Sequence, residues 1–268
     1  MNRSSAIVAS SLFFAAFFLS SCWRFSPVDP TPDSPTSDTI TTVGLVAYFP
    51  LDGNAKDASG NGFHGEERNN VTYGEARNEW AGRAAIFDGN SAYIRVANAA
   101  DSRLEMKEAF TQSVWVKGFR KQGKYSWSYI LTKAAPFGNG YYMKWNHNGE
   151  GMAALYLVTG AQGTTTPWDV VGLPNSEFTG AWHHLLFTWS KERARMELYV
   201  DGMLREVQEN CRYDGRHSGE ALEIGGFAYT GTNTNEPVGS FPGAIDDVRI
   251  YDRVLSRSEI SALAKEGR

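Results

Sequence analysis

Residues 196–205 read MELYVDGMLR. Apolar residues alternate with other residues before a central Asp201-Gly202 pair, and an apolar run follows it. Alternation with a period of two is typical of a strand with one buried face, and Asp-Gly supplies the positive φ that a tight hairpin turn requires. The stretch therefore predicts a β-hairpin.

Short runs of β-forming residues recur along the chain from residue 43, separated by clusters of Gly, Asn and Asp. Eleven runs are predicted strands, at residues 44–50, 84–87, 93–96, 110–117, 129–133, 141–146, 153–158, 182–190, 196–200, 221–225 and 243–251. So many strands in one domain predict an all-β fold with two packed sheets. One strong helix signal comes last, where Ser256 and Glu259 form a capping box before Ile260 and Leu263.

Composition narrows the functional classes. The chain has 268 residues and a formal net charge of −4, with acidic and basic residues interspersed. Because no basic stripe is present, nucleic-acid binding is disfavoured. Residues 43–268 have the length and apolar content of one domain. Cys211 is the only cysteine besides Cys22, and with Cys22 assigned to lipid below, no intramolecular disulfide is expected.

Residues 1–21 have the composition of an export signal. Arg3 precedes an uncharged run from residue 4 to residue 21 that is rich in Phe, Leu and Ala and ends in small residues. The tripeptide before Cys22 resembles the lipobox of bacterial lipoproteins, in which the peptide is cut before an acylated cysteine. This resemblance implies a signal peptide at 1–21 and lipidation at Cys22. An uncleaved membrane helix is the alternative, although the 18 uncharged residues lie at the short limit for spanning a bilayer.

Residues 22–42 are predicted to form a tether that carries the lipidated cysteine. Four prolines are interleaved there with Ser, Thr and Asp, a composition that favours extended and solvated backbone. We therefore expect the protein in the bacterial cell envelope, attached to the membrane through its N-terminal lipid. The residue after Cys22 is not Asp, which resembles the pattern of lipoproteins sent to the outer membrane.

Six segments occur in an order that resembles one family, the laminin G-like branch of the concanavalin A-like jelly rolls. They are GLVAYFPLDGNAKDASGNG at 44–62, AIFDG at 85–89, FTQSVWVK at 110–117, WHH at 182–184, LYVDG at 198–202 and IDDVRIY at 245–251. The resemblance implies a two-sheet antiparallel jelly-roll sandwich with a short C-terminal helix. The family contains carbohydrate-binding, adhesive and sensory modules, so the fold is better determined than the function.

The opening loop suggests a metal site. Asp52, Asn54, Asp57 and Asn61 place hard oxygen atoms among three glycines, and calcium prefers about six to eight oxygen ligands. Asn, Asp and Ser in such loops also form Asx-turns without metal, which is the alternative explanation.

The resemblance extends the predicted calcium site to the last strand. Related jelly rolls often hold a structural calcium where an early loop meets an acidic residue of the final strand, which points to Asp246 or Asp247. If Val248 and Ile250 pack in the core, strict alternation puts Asp246 on their side and Asp247 toward solvent. Asp246 is therefore the predicted fifth ligand.

Catalytic signatures are absent from the sequence. His183 and His184 are adjacent in a predicted strand, so their side chains point to opposite faces and do not converge on one metal. Glucanases that share the jelly roll carry Glu-x-Asp-x-x-Glu or a close variant, and no such string occurs here. The sequence therefore predicts a binding module and no enzyme.

Aromatic residues in polar, Gly-rich segments suggest a sugar as the ligand, because aromatic rings stack on the apolar faces of pyranoses. Trp127, Trp145 and Trp168 are the candidate ligand-binding residues. Core packing is the competing explanation for each ring. The predicted partner is an extracellular glycan or glycoprotein. The alternative is an adhesive or scaffold lipoprotein that binds protein without sugar specificity.

Overall fold

The computed structural model describes residues 39–74, 77, 83–97, 103–118, 127–134, 140–146, 152–158, 168–174, 180–215, 219–228 and 239–266. The predicted signal peptide 1–21, Cys22 and most of the predicted tether lie outside these residues. Within them, no helix is long and apolar enough to span a membrane.

The described chain forms strands followed by one helix. In chain order they are β1 (Leu45–Phe49), β2 (Gly65–Arg68), β3 (Thr72–Gly74), β4 (Ala84–Asp88), β5 (Tyr93–Val96), β6 (Ala109–Gly118), β7 (Trp127–Ala134), β8 (Gly140–Asn146), β9 (Met152–Val158), β10 (Trp168–Pro174), β11 (His183–Ser190), β12 (Arg195–Val200), β13 (Met203–Glu209), β14 (Leu222–Ile224), β15 (Pro242–Tyr251) and α1 (Arg257–Lys265).

The strands form two antiparallel sheets, which confirms the predicted jelly-roll sandwich. Sheet A has the order β13-β12-β11-β6-β15-β4-β3, with β1 also paired to β15. Sheet B has the order β10-β9-β8-β7-β14-β5-β2. Strands β2, β3 and β10 lie outside the predicted strands. The hairpin at residues 196–205 is present as β12 and β13, with Asp201 and Gly202 both at positive φ.

The core lies between the sheets and is built by buried residues of both, such as alternate residues of β6 and β8. On sheet A these include Phe110, Val114 and Val116 of β6, and on sheet B they include Tyr141, Met143 and Trp145 of β8. The residues of β6 and β8 that alternate with these lie on the outer face, meaning the face turned away from the other sheet. This division decides which of the candidate side chains can meet a ligand.

Helix α1 covers part of the outer face of sheet A. Ser256 and Glu259 form the predicted capping box, in which each side chain accepts a hydrogen bond from the other residue's backbone N–H. Ile260 and Leu263 pack with Tyr251 and other residues of the sheet. The folded part also begins before residue 43, because Ile40 packs in this cluster and Thr41 accepts a hydrogen bond from the Tyr251 hydroxyl at 3.1 Å.

Side chains of β13 close the sandwich against β10, the edge strand of sheet B. Gln208 Oε1 accepts a hydrogen bond from the Val170 backbone N–H at 2.7 Å, and a Glu206 carboxylate oxygen accepts one from Gly172. Both amides belong to an edge that would otherwise offer donors to another chain. Gln208 also donates to Asp169 at 2.9 Å. These contacts join the two sheets along this side.

Candidate functional site

Asp57 organises the opening loop through its carboxylate. One oxygen accepts hydrogen bonds from the backbone N–H groups of Tyr48 (3.0 Å) and Ser59 (2.9 Å). The other accepts from the Ser59 hydroxyl and the Phe63 N–H, each at 2.9 Å. Burial raises the pKa of Asp57, but these hydrogen bonds outweigh it and hold the pKa below its ordinary value. Because a carboxylate offers about four lone-pair sites, Asp57 is already saturated by the protein.

The other three loop residues of the predicted calcium site also have partners within the protein. Asp52 accepts a hydrogen bond from the Arg83 N–H at 2.8 Å. Asn54 accepts one from the Lys56 N–H at 2.9 Å, which is an Asx-turn. The Asn61 amide donates to the backbone oxygen of Val46 at 2.9 Å. These contacts hold the loop together without a metal ion.

A β-bulge corrects the predicted placement of Asp246 and Asp247. Between Asp246 and Arg249 the register of β15 against β6 shifts by one residue, and Asp247 adopts a φ of 46°. Val248 packs in the core. Asp246 and Arg249 therefore lie on the outer face of sheet A, and the prediction that Asp246 shares the side of Val248 is wrong. The prediction that Asp247 faces solvent is also wrong, because Asp247 is only 7% exposed.

The cation that faces these two carboxylates is Arg77. Its Nε donates to Asp246 at 2.7 Å, and an Nη donates to Asp247. The Tyr48 hydroxyl donates to Asp247 at 2.7 Å, and the Arg249 guanidinium lies 3.4 Å away. Among the described residues, no three His, Cys, Asp or Glu side chains are grouped so that they could hold a metal ion. Each of the five predicted ligands has a partner within the protein, and calcium binding stays a prediction from the sequence.

We expect Asp246 to make the stability of the domain depend on pH. Burial, together with the neighbouring Asp247 carboxylate, raises the pKa of Asp246 to about 7. A raised pKa in the folded state means that the folded protein binds the proton more tightly than the unfolded chain. Stability from this group is therefore full at low pH and is lost as the pH rises from about 4 to about 7.

We expect Asp246→Asn to become progressively more stable relative to the natural protein over that pH range. Urea unfolding of both proteins at about pH 4 and about pH 8 measures the difference. Glu223→Gln is a positive control and should show the same trend with pH. Burial also raises the pKa of Glu223 to about 7, at a separate place in the fold. A difference between natural protein and Asp246→Asn that does not change with pH would contradict the assigned role of Asp246.

The two histidines of β11 have separate partners on opposite faces of sheet A. His184 Nε2 lies 2.8 Å from the Ser113 hydroxyl, and His183 Nδ1 lies 2.9 Å from an Asp201 carboxylate oxygen. His184 is 0% exposed and Ser113 is 1% exposed. A substrate cannot reach a Ser–His pair that is sealed in this way, so this pair is assigned to packing.

Trp145 belongs to the core, which corrects its prediction as a ligand-binding residue. It lies on the inner face of sheet B, is 3% exposed and packs edge-on to Phe241 with ring centres 5.5 Å apart. A Cβ on Gly118 would lie 2.5 Å from the Trp145 ring, so the opposite sheet carries glycine where this ring needs space. The ring fills the interior and has no surface to offer a ligand.

The outer face of sheet B carries a cluster that we call the aromatic face, formed by Trp127, Tyr129, Tyr142, Phe227 and Lys144. The ring centre of Tyr129 lies 5.1 Å from that of Phe227 and 6.0 Å from that of Tyr142. Trp127 and Tyr129 are partly exposed, whereas Tyr142 and Phe227 are buried. The buried rings therefore support two rings that solvent can reach.

Lys144 stands among these rings. Its Nζ lies 4.7 Å from the centre of the Tyr142 ring and 5.4 Å from the centres of Trp127 and Tyr129. Burial lowers the pKa of Lys144 to about 8. The site residues predicted from the sequence do not include Tyr129, Tyr142, Phe227 or Lys144. The signal was present in the alternation of β8, which puts Lys144 and Tyr142 on one face and Trp145 on the other.

A row of paired residues continues the aromatic face across sheet B. Tyr142 pairs with Thr132, Thr132 pairs with Glu223, and Glu223 pairs with Arg95. Arg95 and Glu223 form an ion pair of 2.6 Å, and Glu223 also accepts a hydrogen bond from the Ala228 N–H at 2.7 Å. The outer face of sheet B therefore carries both aromatic and hydrogen-bonding groups. A ligand that has apolar patches and polar groups, such as a sugar, requires both.

Trp168 lies at the other end of the same sheet from Trp127. Trp127 pairs with Asn146 at the end of β8. Trp168 pairs with Val158 of β9, which in turn pairs with Gly140 at the start of β8. The two positions are thus about 14 Å apart across the strands and about 20 Å apart along them. A single sugar residue cannot contact both tryptophans.

Comparison with known proteins identifies the fold family. Residues 88–261 match the laminin G domain family described as the concanavalin A-like lectin/glucanases superfamily. The chain belongs to this superfamily. Among curated proteins, this laminin G-like chain is 30% identical over 164 residues to the pentraxin-related protein PTX3 of Mus musculus, covering 58% of this chain and 38% of the mouse protein. It therefore spans well under two thirds of that relative.

Solved structures share the fold of this laminin G-like chain at low sequence identity. The receptor-binding domain of botulinum neurotoxin mosaic serotype C/D superimposes with a TM-score of 0.61 and 16% identity, covering 85% of this chain and 52% of that one. Domain 4 of AbnA, an extracellular arabinanase from Geobacillus stearothermophilus solved with arabinotriose, gives a TM-score of 0.56 and 21% identity, covering 82% of this chain and 98% of that domain.

Proposed function

We propose that this protein is a membrane-anchored surface module that recognises an extracellular glycan through the aromatic face of sheet B. The observation that carries the proposal is the pair of partly exposed rings, Trp127 and Tyr129, held by buried rings and flanked by Lys144. Rings of this kind stack on the C–H faces of a pyranose, while neighbouring polar groups bond its hydroxyls.

The comparisons supply support of a general kind. Domain 4 of the arabinanase was solved in complex with arabinotriose, and cell entry of botulinum neurotoxin type C is described as dependent upon interaction with two ganglioside molecules. Both ligands contain sugars. The family and the aromatic face therefore favour carbohydrate as the ligand class for this chain.

The anchor and the cation are the remaining parts of the proposal. The lipobox-like sequence before Cys22 and the Pro-rich segment after it support attachment to the bacterial outer membrane through an N-terminal lipid. Calcium binding stays a prediction from the sequence. If calcium is bound, Asp57 is not expected to be a ligand, because its lone pairs are engaged by the loop.

A glycan array tests the proposed function. The probe is a soluble protein that begins at Asp33, a few residues before the first residue that the structure describes. We expect specific binding that Trp127→Ala weakens at least roughly tenfold, as for a central aromatic contact. Trp168→Ala is the matched control and should leave binding unchanged, since position 168 lies at the far end of the sheet.

Two outcomes would overturn this proposal. Absence of binding by a folded protein, in calcium and in chelator, would favour the protein-binding alternative. Binding that is lost in Trp168→Ala and kept in Trp127→Ala would move the site to the opposite end of sheet B. Running the array in both solutions also shows whether any binding depends on calcium.

A further inference from the structure

We propose that Glu223 is a positioning residue for the glycan site on the aromatic face. Its carboxylate fixes the turn at residues 225–228, which we call the Phe227 turn. This turn holds Phe227 against Tyr129 and Tyr142. The inference rests on the proposed function and adds a residue that the glycan does not touch. Glu223 is only 3% exposed, so it acts through Phe227.

The Phe227 turn has little stiffness of its own, because it begins with two glycines. Gly225 adopts a φ of 74°, and a Cβ there would lie 2.1 Å from the Phe87 ring. A Cβ on Gly226 would lie 2.7 Å from the Cβ of Tyr93. Both positions therefore require glycine, which leaves the backbone more conformational freedom than any other residue. Contacts from outside the turn must select one conformation.

Glu223 supplies such a contact. One carboxylate oxygen accepts a hydrogen bond at 2.7 Å from the N–H of Ala228, the residue after Phe227. The other oxygen accepts one from Arg95 at 2.6 Å. Glu223 is itself fixed in sheet B, because β14 pairs with β7 on one side and with β5 on the other. The carboxylate therefore ties the end of the Phe227 turn to the sheet that carries the aromatic face.

Phe227 transmits the position of the turn to the neighbouring rings. Its ring centre lies 5.1 Å from that of Tyr129, and 6.0 Å from that of Tyr142 with the two ring planes at 86°. Phe227 is 7% exposed, whereas Tyr129 is partly exposed. Phe227 is thus the buried support of a ring that a sugar can reach. A shift of the turn would change the orientation of Tyr129 and the fit of a stacked pyranose.

The charge of Glu223 decides how firmly the turn is held. Burial raises the pKa of Glu223 to about 7; the hydrogen bond from the turn and the Arg95 guanidinium oppose this rise, and Glu220 adds to it. Tyr93 of β5 also lies near Glu223, and the partner of Glu223 on β7 is Thr132, which does not titrate. An ionised carboxylate is the stronger hydrogen-bond acceptor. We therefore expect glycan binding to weaken as the pH falls below about 7.

NMR of the full-length chain in detergent tests the inference without a ligand. We expect the Ala228 amide proton and the Tyr129 ring resonances to move together as the pH crosses about 7. Glu223→Gln keeps an acceptor for the Ala228 N–H but cannot ionise, so this step should disappear. Burial lowers the pKa of Lys144 to about 8, but Lys144 is present in both proteins, so its titration cancels from the difference.

The glycan array, run with the same full-length chain at about pH 6 and about pH 8, measures the consequence for binding. The natural protein should bind roughly fivefold more weakly at the lower pH, and Glu223→Gln should lose that difference. Glu223→Ala removes the acceptor and should weaken binding roughly tenfold at the higher pH.

Asp57→Asn is the matched control for a purely structural role. Asp57 also holds a loop through hydrogen bonds from backbone N–H groups, but it does so in the opening loop. We expect this variant to lower the urea midpoint and to leave glycan binding unchanged. Circular dichroism shows whether each variant is folded.

The contrary outcomes separate the two claims. The positioning role is wrong, and the proposed function stands, if the natural protein binds the array equally at both pH values or if Glu223→Gln keeps the step in the Tyr129 resonances. The same conclusion follows if Asp57→Asn weakens binding as much as Glu223→Ala does. If the folded natural protein binds no glycan on the array, the proposed function fails and the positioning role fails with it.

Discussion

Trp145→Ala is expected to lower the free energy of unfolding by about 3–5 kcal/mol, the usual cost of truncating a fully buried tryptophan. The Trp145 ring is 3% exposed, packs against Phe241 and occupies the space left by Gly118 of the other sheet. Its removal leaves a cavity between two sheets that cannot collapse. Urea denaturation measures the loss as a lower midpoint with an unchanged slope.

Trp127→Ala provides the comparison for this loss. Trp127 lies on the paired strand β7 but on the outer face, where it is partly exposed, so we expect its removal to cost less than about 2 kcal/mol. We therefore expect Trp145→Ala to lower the stability of the fold and Trp127→Ala to lower the affinity for the ligand. A Trp145→Ala protein that keeps its stability but loses glycan binding would restore Trp145 as a ligand residue.

Arg249→Met is expected to cost about 3–5 kcal/mol, because it removes one partner from a buried charge network. The Arg249 side chain is 4% exposed and contacts Glu266 at 2.6 Å and Asp247 at 3.4 Å. It also stacks 4.0 Å above the centre of the Tyr48 ring. Without Arg249, the Asp247 carboxylate stays buried and keeps only Arg77 and the Tyr48 hydroxyl as partners. Thermal and urea unfolding at neutral pH measure the effect.

Lys191→Met is the control for this prediction. Lys191 pairs with Glu108 at 3.4 Å, but the two side chains are 43% and 79% exposed, so the pair is worth less than about 1 kcal/mol. Equal losses in Arg249→Met and Lys191→Met would mean that the network around Asp247 does not stabilise the fold.

The sequence predicted the architecture because its main signals are local. The Asp201-Gly202 turn and the capping box of Ser256 and Glu259 each need only a few neighbouring residues, and both are present in the structure. The strands β2 and β3 escaped prediction because they are short, and the first of them reads GEER, which has no apolar residue. Their pairing with β5 and β4 makes them strands.

The candidate site was less predictable because it depends on register and sheet order. The bulge after Asp246 puts Asp246 and Val248 on opposite faces of sheet A, and it is visible only in the pairing of β15 with β6. The distance between Trp127 and Trp168 follows from the order of β7, β8, β9 and β10 in sheet B. The position of Trp145 was predictable from the sequence, because Trp145 and Lys144 are neighbours in β8 and so lie on opposite faces of the strand.

The central claim is that a glycan binds over Trp127, and NMR of the indole N–H groups tests it most directly. The soluble protein would be titrated with the strongest hit from the array, with the resonances of Trp127 and Trp168 assigned through Trp→Phe variants. We expect the Trp127 resonance to move in a saturable way while the Trp168 resonance stays in place. Saturable movement at Trp168 with no change at Trp127 would contradict it.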